Sequence, residues 1–202
     1  SEGQFVSTLP LTLVTSLLGR VLPDEVHEAS AQLCFRNIRL VFIRLARESF
    51  TENASIYVPD RDFCISRLYE PRNRCRTMAP AGETGIVAEI PCFTGDSIDQ
   101  LSNRELYTRV TVELEKLGLL QRKCILDWRQ HYLRNAYPVY SLDYAEKVKL
   151  ILSALARFKN LHLAGRNGLF FYSHLHDQMR FGKDFAATQL ASRMEAPKSV
   201  AT

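Results

Sequence analysis

Lysine is missing from the first 115 residues of this 202-residue sequence; all seven lysines lie beyond that point, and the earlier positive charge is carried by arginine alone. Nine arginines fall between Arg36 and Arg76, interleaved with aromatics. The net charge of +4 is too small to indicate a polyanion partner, and no basic cluster with a nucleic-acid reading motif is present, so no nucleic acid is expected. Charge runs usually face solvent. A guanidinium is nonetheless a planar fork matched to phosphate or carboxylate, which keeps an anionic small-molecule substrate in view. Long apolar runs are also missing: stretches such as Gly168 to Tyr172 fall far short of the roughly 20 residues that span a bilayer. No basic-then-apolar leader is visible, so neither a membrane span nor signal-peptide secretion is expected. The five cysteines (Cys34, Cys64, Cys75, Cys92, Cys124) are odd in number and contain no C-x-x-C, which argues against a disulfide framework or a thiolate zinc site. A reducing, cytoplasmic compartment is the reading. His174 and His176 in H-L-H-D lack a third ligand at a metal-binding distance, so capping or packing is expected of them and no metal. G-x-S-x-G, the P-loop, H-E-x-x-H and G-x-G-x-x-G are all absent.

What is present is ordinary globular composition, 46% hydrophobic and 24% charged, enough for one domain or two small ones. Gln4 to Leu9 reads as a short strand ended by Pro10, and Thr12 to Leu18 as an apolar helix before Gly19. Leu33 to Arg47 reads as a strand from its partial alternation and β-rich residues Leu40, Phe42 and Ile43. Ala54 to Val58, Phe63 to Tyr69 and Gly85 to Ile90 follow as strands, separated by proline and glycine turns. Short strands in succession predict an antiparallel sheet. Ser102 and Glu105 form a capping box before Leu106, Val110, Leu114 and Leu117, so a helix runs to Gly118. Ile125 to Tyr132 and Ala136 to Tyr140 read as extended. Asp143 and Glu146 open a second helix whose Val148, Ile151, Leu155 and Phe158 face a core, ending near Asn160.

The closing segment is the chemically informative one. Leu161 to Ala164 reads as a buried strand, Gly165 to Gly168 as a loop, and His176 to Met194 as a helix starting near Asp177, with a frayed tail from Pro197. Strand, glycine loop and helix N-terminus together present free amides and the positive end of a macrodipole, suited to phosphate or an electron-rich ring edge. Arg166 adds a cation. Any strand-to-helix turn also uses glycine for its backbone freedom, so the pattern alone leaves a ligand site and a plain turn both open.

The run AYPVYSLDYAEKVKLILSALARFKNLHLAGRNGLFFYSHLHDQMRFGKDFA, Ala136 to Ala186, resembles the C-terminal segment of the FAD-dependent amine oxidase-like superfamily, in its UDP-galactopyranose mutase and protoporphyrinogen oxidase-like branch. FVSTLPLTLV (Phe5 to Val14) is similar to that family's strand beside the flavin, and YVPDRDFCISRLYEPRN (Tyr57 to Asn73) to its substrate-domain strands. The resemblance implies an α/β (α+β) fold in which FAD-domain pieces at residues 1–20 and 144–202 enclose an antiparallel-sheet substrate domain at 21–143. It implies FAD as cofactor. It places Gly165 and Arg166 near the pyrophosphate and ribityl chain, Thr8, Leu9 and Pro10 beside the flavin, and His176, Asp177, Gln178 and Met179 at the pyrimidine edge of the ring. A reduced flavin carries negative charge near that edge, which a helix N-terminus stabilises. Arg67 aligns with a substrate-facing position, and Tyr69, Tyr137 and Tyr140 are further pocket candidates, with interface packing as the alternative.

The family's dinucleotide-binding βαβ unit with G-x-G-x-x-G has no counterpart here. The expectation is therefore the C-terminal portion of an FAD-dependent oxidoreductase, inactive by itself, that binds FAD weakly or not at all and self-associates or meets an N-terminal partner segment. Two further readings stand beside it: a nucleotide-sugar mutase, for which the arginines offer a diphosphate rationale, and a cofactor-free binding module.

Overall fold

The computed structural model describes residues 3–195, with side chains described through residue 190. In chain order the elements are β1 (Phe5–Ser7), α1 (Leu11–Leu18), α2 (Asp24–Ala31), β2 (Cys34–Leu45), β3 (Ile56–Tyr57), β4 (Arg67–Tyr69), β5 (Thr84–Cys92), α3 (Asn103–Lys116), β6 (Ile125–Val139), α4 (Tyr144–Leu155), β7 (Leu161–Leu163), α5 (Gly165–Gly168) and α6 (Leu175–Glu195). The chain divides into two compact units, one made of Ser1–Cys34 with Tyr137–Thr202 and one of Phe35–Ala136. The mixed α/β class expected from the sequence is the one observed. No helix among the described residues is long and apolar enough to cross a membrane.

The unit formed by the two chain ends is held by a two-stranded parallel sheet, in which Phe5, Val6 and Ser7 of β1 face Leu161, His162 and Leu163 of β7. Pro10 precedes α1, which buries Leu11, Val14 and Thr15 before Gly19 (φ +50°) ends it. Pro23 then opens α2, whose first turn carries Asp24 and Glu25 at the positive end of the helix dipole. The Thr15 and Ser30 hydroxyls meet at 2.6 Å, and His27 Nε2 donates to the Gly19 carbonyl at 2.8 Å, tying α1 to α2. Helix α4 contributes the buried Ile151 and Leu155.

The central unit is a five-stranded antiparallel sheet in the order β3-β4-β5-β2-β6. β2 and β5 pair from Asn37 opposite Cys92 to Leu45 opposite Thr84. Side chains alternate across a strand, so Val41, Ile43 and Leu45 share a face with Ile86, Ala88, Ile90 and Leu68. The apolar stripe of α3 (Leu106, Val110, Leu114) covers that face, and all of these residues are buried. Ser102 caps α3 through the expected reciprocal bonds with Glu105, 3.2 and 2.8 Å.

Several expectations are corrected. Gly165 to Gly168 is a single helical turn, not a loop. All three residues of β7 are half-buried, not buried, because the strand has one neighbour. The two extended pieces after residue 124 are one strand, β6, in which Asn135 takes a left-handed φ of 52°. The strands read at 54–58 and 63–69 shrink to β3 and β4, and α2 was not anticipated. The tail from Pro197 lies outside the described residues.

Candidate functional site

The site is built where β7 ends. The Ala164 amide donates to the Ser7 carbonyl at 2.9 Å, which carries the β1 to β7 pairing up to the start of α5. Gly165 follows at φ +80°, and a Cβ there would lie 3.5 Å from the Thr8 side chain. At Gly168 a Cβ would lie 3.2 Å from the Ser7 carbonyl oxygen and 3.3 Å from that of Leu9. These glycines therefore let α5 cross closely over the residues between β1 and α1, and that crossing brings Thr8 beside Gly165 and Leu9 beside Gly168, with Pro10 next in the chain.

Arg166 is the charged residue of this turn. Its guanidinium carbon lies 4.9 Å from the ring centroid of Tyr137 and 4.4 Å from that of Tyr172. Its Nε is buried and has no hydrogen-bond acceptor, and no carboxylate pairs with it among the described residues. A cation between two π faces is attracted by both, while an unmet buried N–H is costly. The rings are themselves anchored. The Tyr172 amide donates to Tyr140 Oη at 2.6 Å, Tyr140 stacks on Tyr144 at 4.1 Å, and the buried Phe170 packs near both. Phe170 holds a left-handed φ of 48°, a conformation that bulky residues rarely adopt.

Sequence reasoning found Arg166, Tyr137 and Tyr140 but missed Tyr144, Phe170 and Tyr172. FFY after the glycine turn is the only signal that pointed to the last two.

At the start of α6, Asp177 accepts the His174 amide at 3.0 Å and an Arg180 N–H at 3.1 Å. The His174 amide, with the neighbouring His176, Arg180 and His174 charges, holds the Asp177 carboxyl below its ordinary range. The amides of Leu175, His176 and Asp177 have no acceptor within the helix. Gln178 donates to the Ser173 hydroxyl, and His176 and Met179 are exposed. This helix start thus combines free amides with an acid already in place.

The substrate-side candidates lie in the central unit. Arg67 stands directly opposite Glu89 in the β4–β5 register and donates to it twice, at 2.9 and 2.5 Å. Its guanidinium also lies 6.0 Å from the Tyr57 ring centroid and 5.6 Å from that of Tyr69. These side chains occupy the sheet face opposite α3, since Leu68 and Ala88 face the helix. Glu89, which the sequence reading missed, neutralises much of the charge at Arg67. No group of three or more His, Cys, Asp or Glu able to hold a metal occurs among the described residues.

No protein-family profile matches the chain, and no curated protein matches it. Solved structures do. Reduced UDP-galactopyranose mutase superposes with a TM-score of 0.72 at 15% identity, over 85% of this chain and 37% of the mutase. A protein assigned as protoporphyrinogen oxidase from Exiguobacterium sp. 255-15 gives 0.64 at 21%, over 80% and 36% of the two chains. A putrescine oxidase variant from a redesign of cofactor binding gives 0.66 at 16%, over 94% and 43%. The fold is that of part of the FAD-dependent amine oxidase-like flavoproteins, and this chain spans about two-fifths of the length of those it matches.

Proposed function

We propose that this chain forms one wall of an FAD site and the substrate-binding sheet of an FAD-dependent oxidoreductase of the amine oxidase or protoporphyrinogen oxidase type. The observation that carries this reading is Arg166, a guanidinium clamped by Tyr137 and Tyr172, with a buried Nε that lacks an acceptor, at the end of β7 in a flavoprotein-like fold. An orphaned buried donor beside a close chain crossing fits an anionic or electron-rich group such as the cofactor carries. FAD, when bound, takes up and returns electrons at its ring system.

In this reading Arg166 pairs with a cofactor phosphate, with Gly165, Thr8 and Pro10 lining the approach. The open amides of His176 and Asp177 meet the ring's edge, while the Gln178 amide is already held by the His174 carbonyl and Met179 follows it in the same turn. Asp177 opposes a negative charge there, so its hydrogen bond to His174 has to hold it to the side of the helix axis. The two chain ends form the flavin-binding part, and the sheet carrying Arg67, Tyr69 and Tyr57 forms the substrate-binding part. The glycine-rich turn that grips the pyrophosphate comes from a segment or partner outside these 202 residues. Tyr137 and Tyr140 act mainly by fixing Arg166 and Tyr172.

A nucleotide-sugar mutase is the second reading, favoured by the superposition on UDP-galactopyranose mutase. The Arg67–Glu89 pair weighs against it, because a diphosphate would have to displace a bidentate carboxylate. Substrate-dependent flavin reduction separates the two: an oxidoreductase leaves its flavin reduced until an acceptor is supplied, whereas a mutase returns it to its starting state on each turnover. A protein that shows neither FAD binding nor flavin reduction when joined to a dinucleotide-binding partner segment would overturn both.

A further inference from the structure

A second charged site lies in the central unit, on the α3 side of the sheet. Arg39 of β2 is only 4% exposed, yet its three hydrogen bonds all go to neutral oxygens. Nη1 donates to the carbonyls of Ile98 and Leu101 at 2.9 and 2.6 Å, and Nη2 to Asn103 Oδ1 at 2.9 Å. No carboxylate lies within ion-pair distance of it among the described residues. A guanidinium has five N–H donors, so donors remain, and a buried charge without a counter-charge is costly.

Arg39 borders a pocket of about 380 Å³ between β2, β6 and the loop leading into α3. Gln130, Tyr132 and Arg134 line it from alternate positions of β6, hence from one face of that strand. The Gln130 side-chain nitrogen is buried and has no acceptor. Arg134 is exposed and sits over the Tyr132 ring at 5.6 Å without a carboxylate partner among the described residues. Thr94 accepts from Asn37 at 3.0 Å, which leaves its hydroxyl proton to donate. One acid, Asp99, also borders the pocket. Its carboxylate already accepts the Tyr132 hydroxyl at 2.6 Å and the Gly95 amide at 2.8 Å. Against two guanidiniums it leaves a positive surplus.

We propose that this pocket binds a phosphate-sized oxyanion, the phosphate group of a small molecule, through Arg39, Arg134, Gln130 and Thr94. The donors come from two strands and a loop, so they surround a volume instead of forming one planar fork. That arrangement suits a tetrahedral anion better than a flat carboxylate. The Gln130 amide and the open donors of Arg39 find their acceptors in the ligand, which also supplies the missing counter-charge.

Trp128, the single tryptophan, is two residues from Gln130 on β6 and stacks on Tyr107 at 4.3 Å, so it reports on this pocket. The test is a titration of the full chain with inorganic phosphate at constant ionic strength, read by Trp128 fluorescence and by the thermal midpoint, with acetate as the planar comparison. A saturable fluorescence change with a rising midpoint is expected, weaker for acetate. Gln130→Leu with Arg134→Gln should weaken phosphate binding by about tenfold or more. The exposed Arg134→Gln alone, whose folding is not at stake, should weaken it by roughly threefold. A response that does not saturate, equal affinity for acetate, or an affinity unchanged in Arg134→Gln would overturn the proposal. FAD takes no part, so failure here leaves the flavin reading untouched.

Discussion

Glu113 illustrates how a single buried acid organises a loop. Only 6% exposed, it accepts the Cys64 amide at 2.9 Å, the Ile65 amide at 3.3 Å and an Arg109 N–H at 3.1 Å, and so pins the chain just before β4 to α3. Burial first, and then the neighbouring Glu113 carboxylate, push the Cys64 thiol up to about 12, so it stays protonated and inert at neutral pH. Exposed Cys75 is the opposite case: a hydrogen bond with Thr77 lowers its thiol. Glu113→Ala should cost about 2 to 4 kcal/mol in urea unfolding, because it leaves two amides without an acceptor and Arg109 without its partner. In alkylation of the wild type near pH 8, Cys75 should react well before Cys64, and Glu113→Ala should narrow the gap. Equal rates at the two cysteines in the wild type would contradict this account.

At the scale of elements, α5 crosses close over the residues that follow β1. Gly168→Ala gains up to about 1 kcal/mol of helix propensity. It also drives a methyl group against two backbone carbonyls at 3.2 and 3.3 Å, neither of which yields as a flexible side chain would. Overpacking of this kind costs about 1 to 3 kcal/mol, so the steric effect wins and the thermal midpoint should fall; a raised midpoint would show that β1 and α5 are not locked together. Elements whose signals are local were legible in the sequence. The α3 capping box needs only Ser102 and Glu105, and β2 shows its alternation. Helix α2 went unread although Pro23, Asp24 and Glu25 are a fair start signal, because its eight residues carry a single large apolar side chain, Val26, beside the small Ala29 and Ser30 that it also buries. The Arg67–Glu89 pair was invisible because it depends on the β4–β5 register, and the ring pair around Arg166 because Tyr137 and Tyr172 meet only after the chain has turned through α4, β7 and α5. The functional expectation from the sequence therefore rests on resemblance over residues 5–14, 57–73 and 136–186, while the contacts that give Arg166 its character are tertiary.

For the molecule as a whole, β1 and β7 form a two-stranded parallel sheet, although such sheets are normally covered and flanked by further strands. Phe5 and Val6 are more than half exposed, as is Leu17 on α1. Free strand edges beside apolar surface favour association. Light scattering should show an average mass that rises with concentration, and a clean monomer that binds no apolar dye would count against this. The central claim is that the chain holds one wall of an FAD site, with Arg166 as its anion partner. The most direct test is equilibrium titration of FAD into the wild-type chain and into Arg166→Ala, read by flavin fluorescence, with folding checked by circular dichroism. Without the pyrophosphate turn the wild type should bind weakly but saturably. Loss of a charge-assisted partner worth about 2 to 3 kcal/mol should then lower the affinity of the variant by roughly a hundredfold. Tight, stoichiometric FAD in the wild type, or a dissociation constant that Arg166→Ala leaves unchanged, would contradict the account.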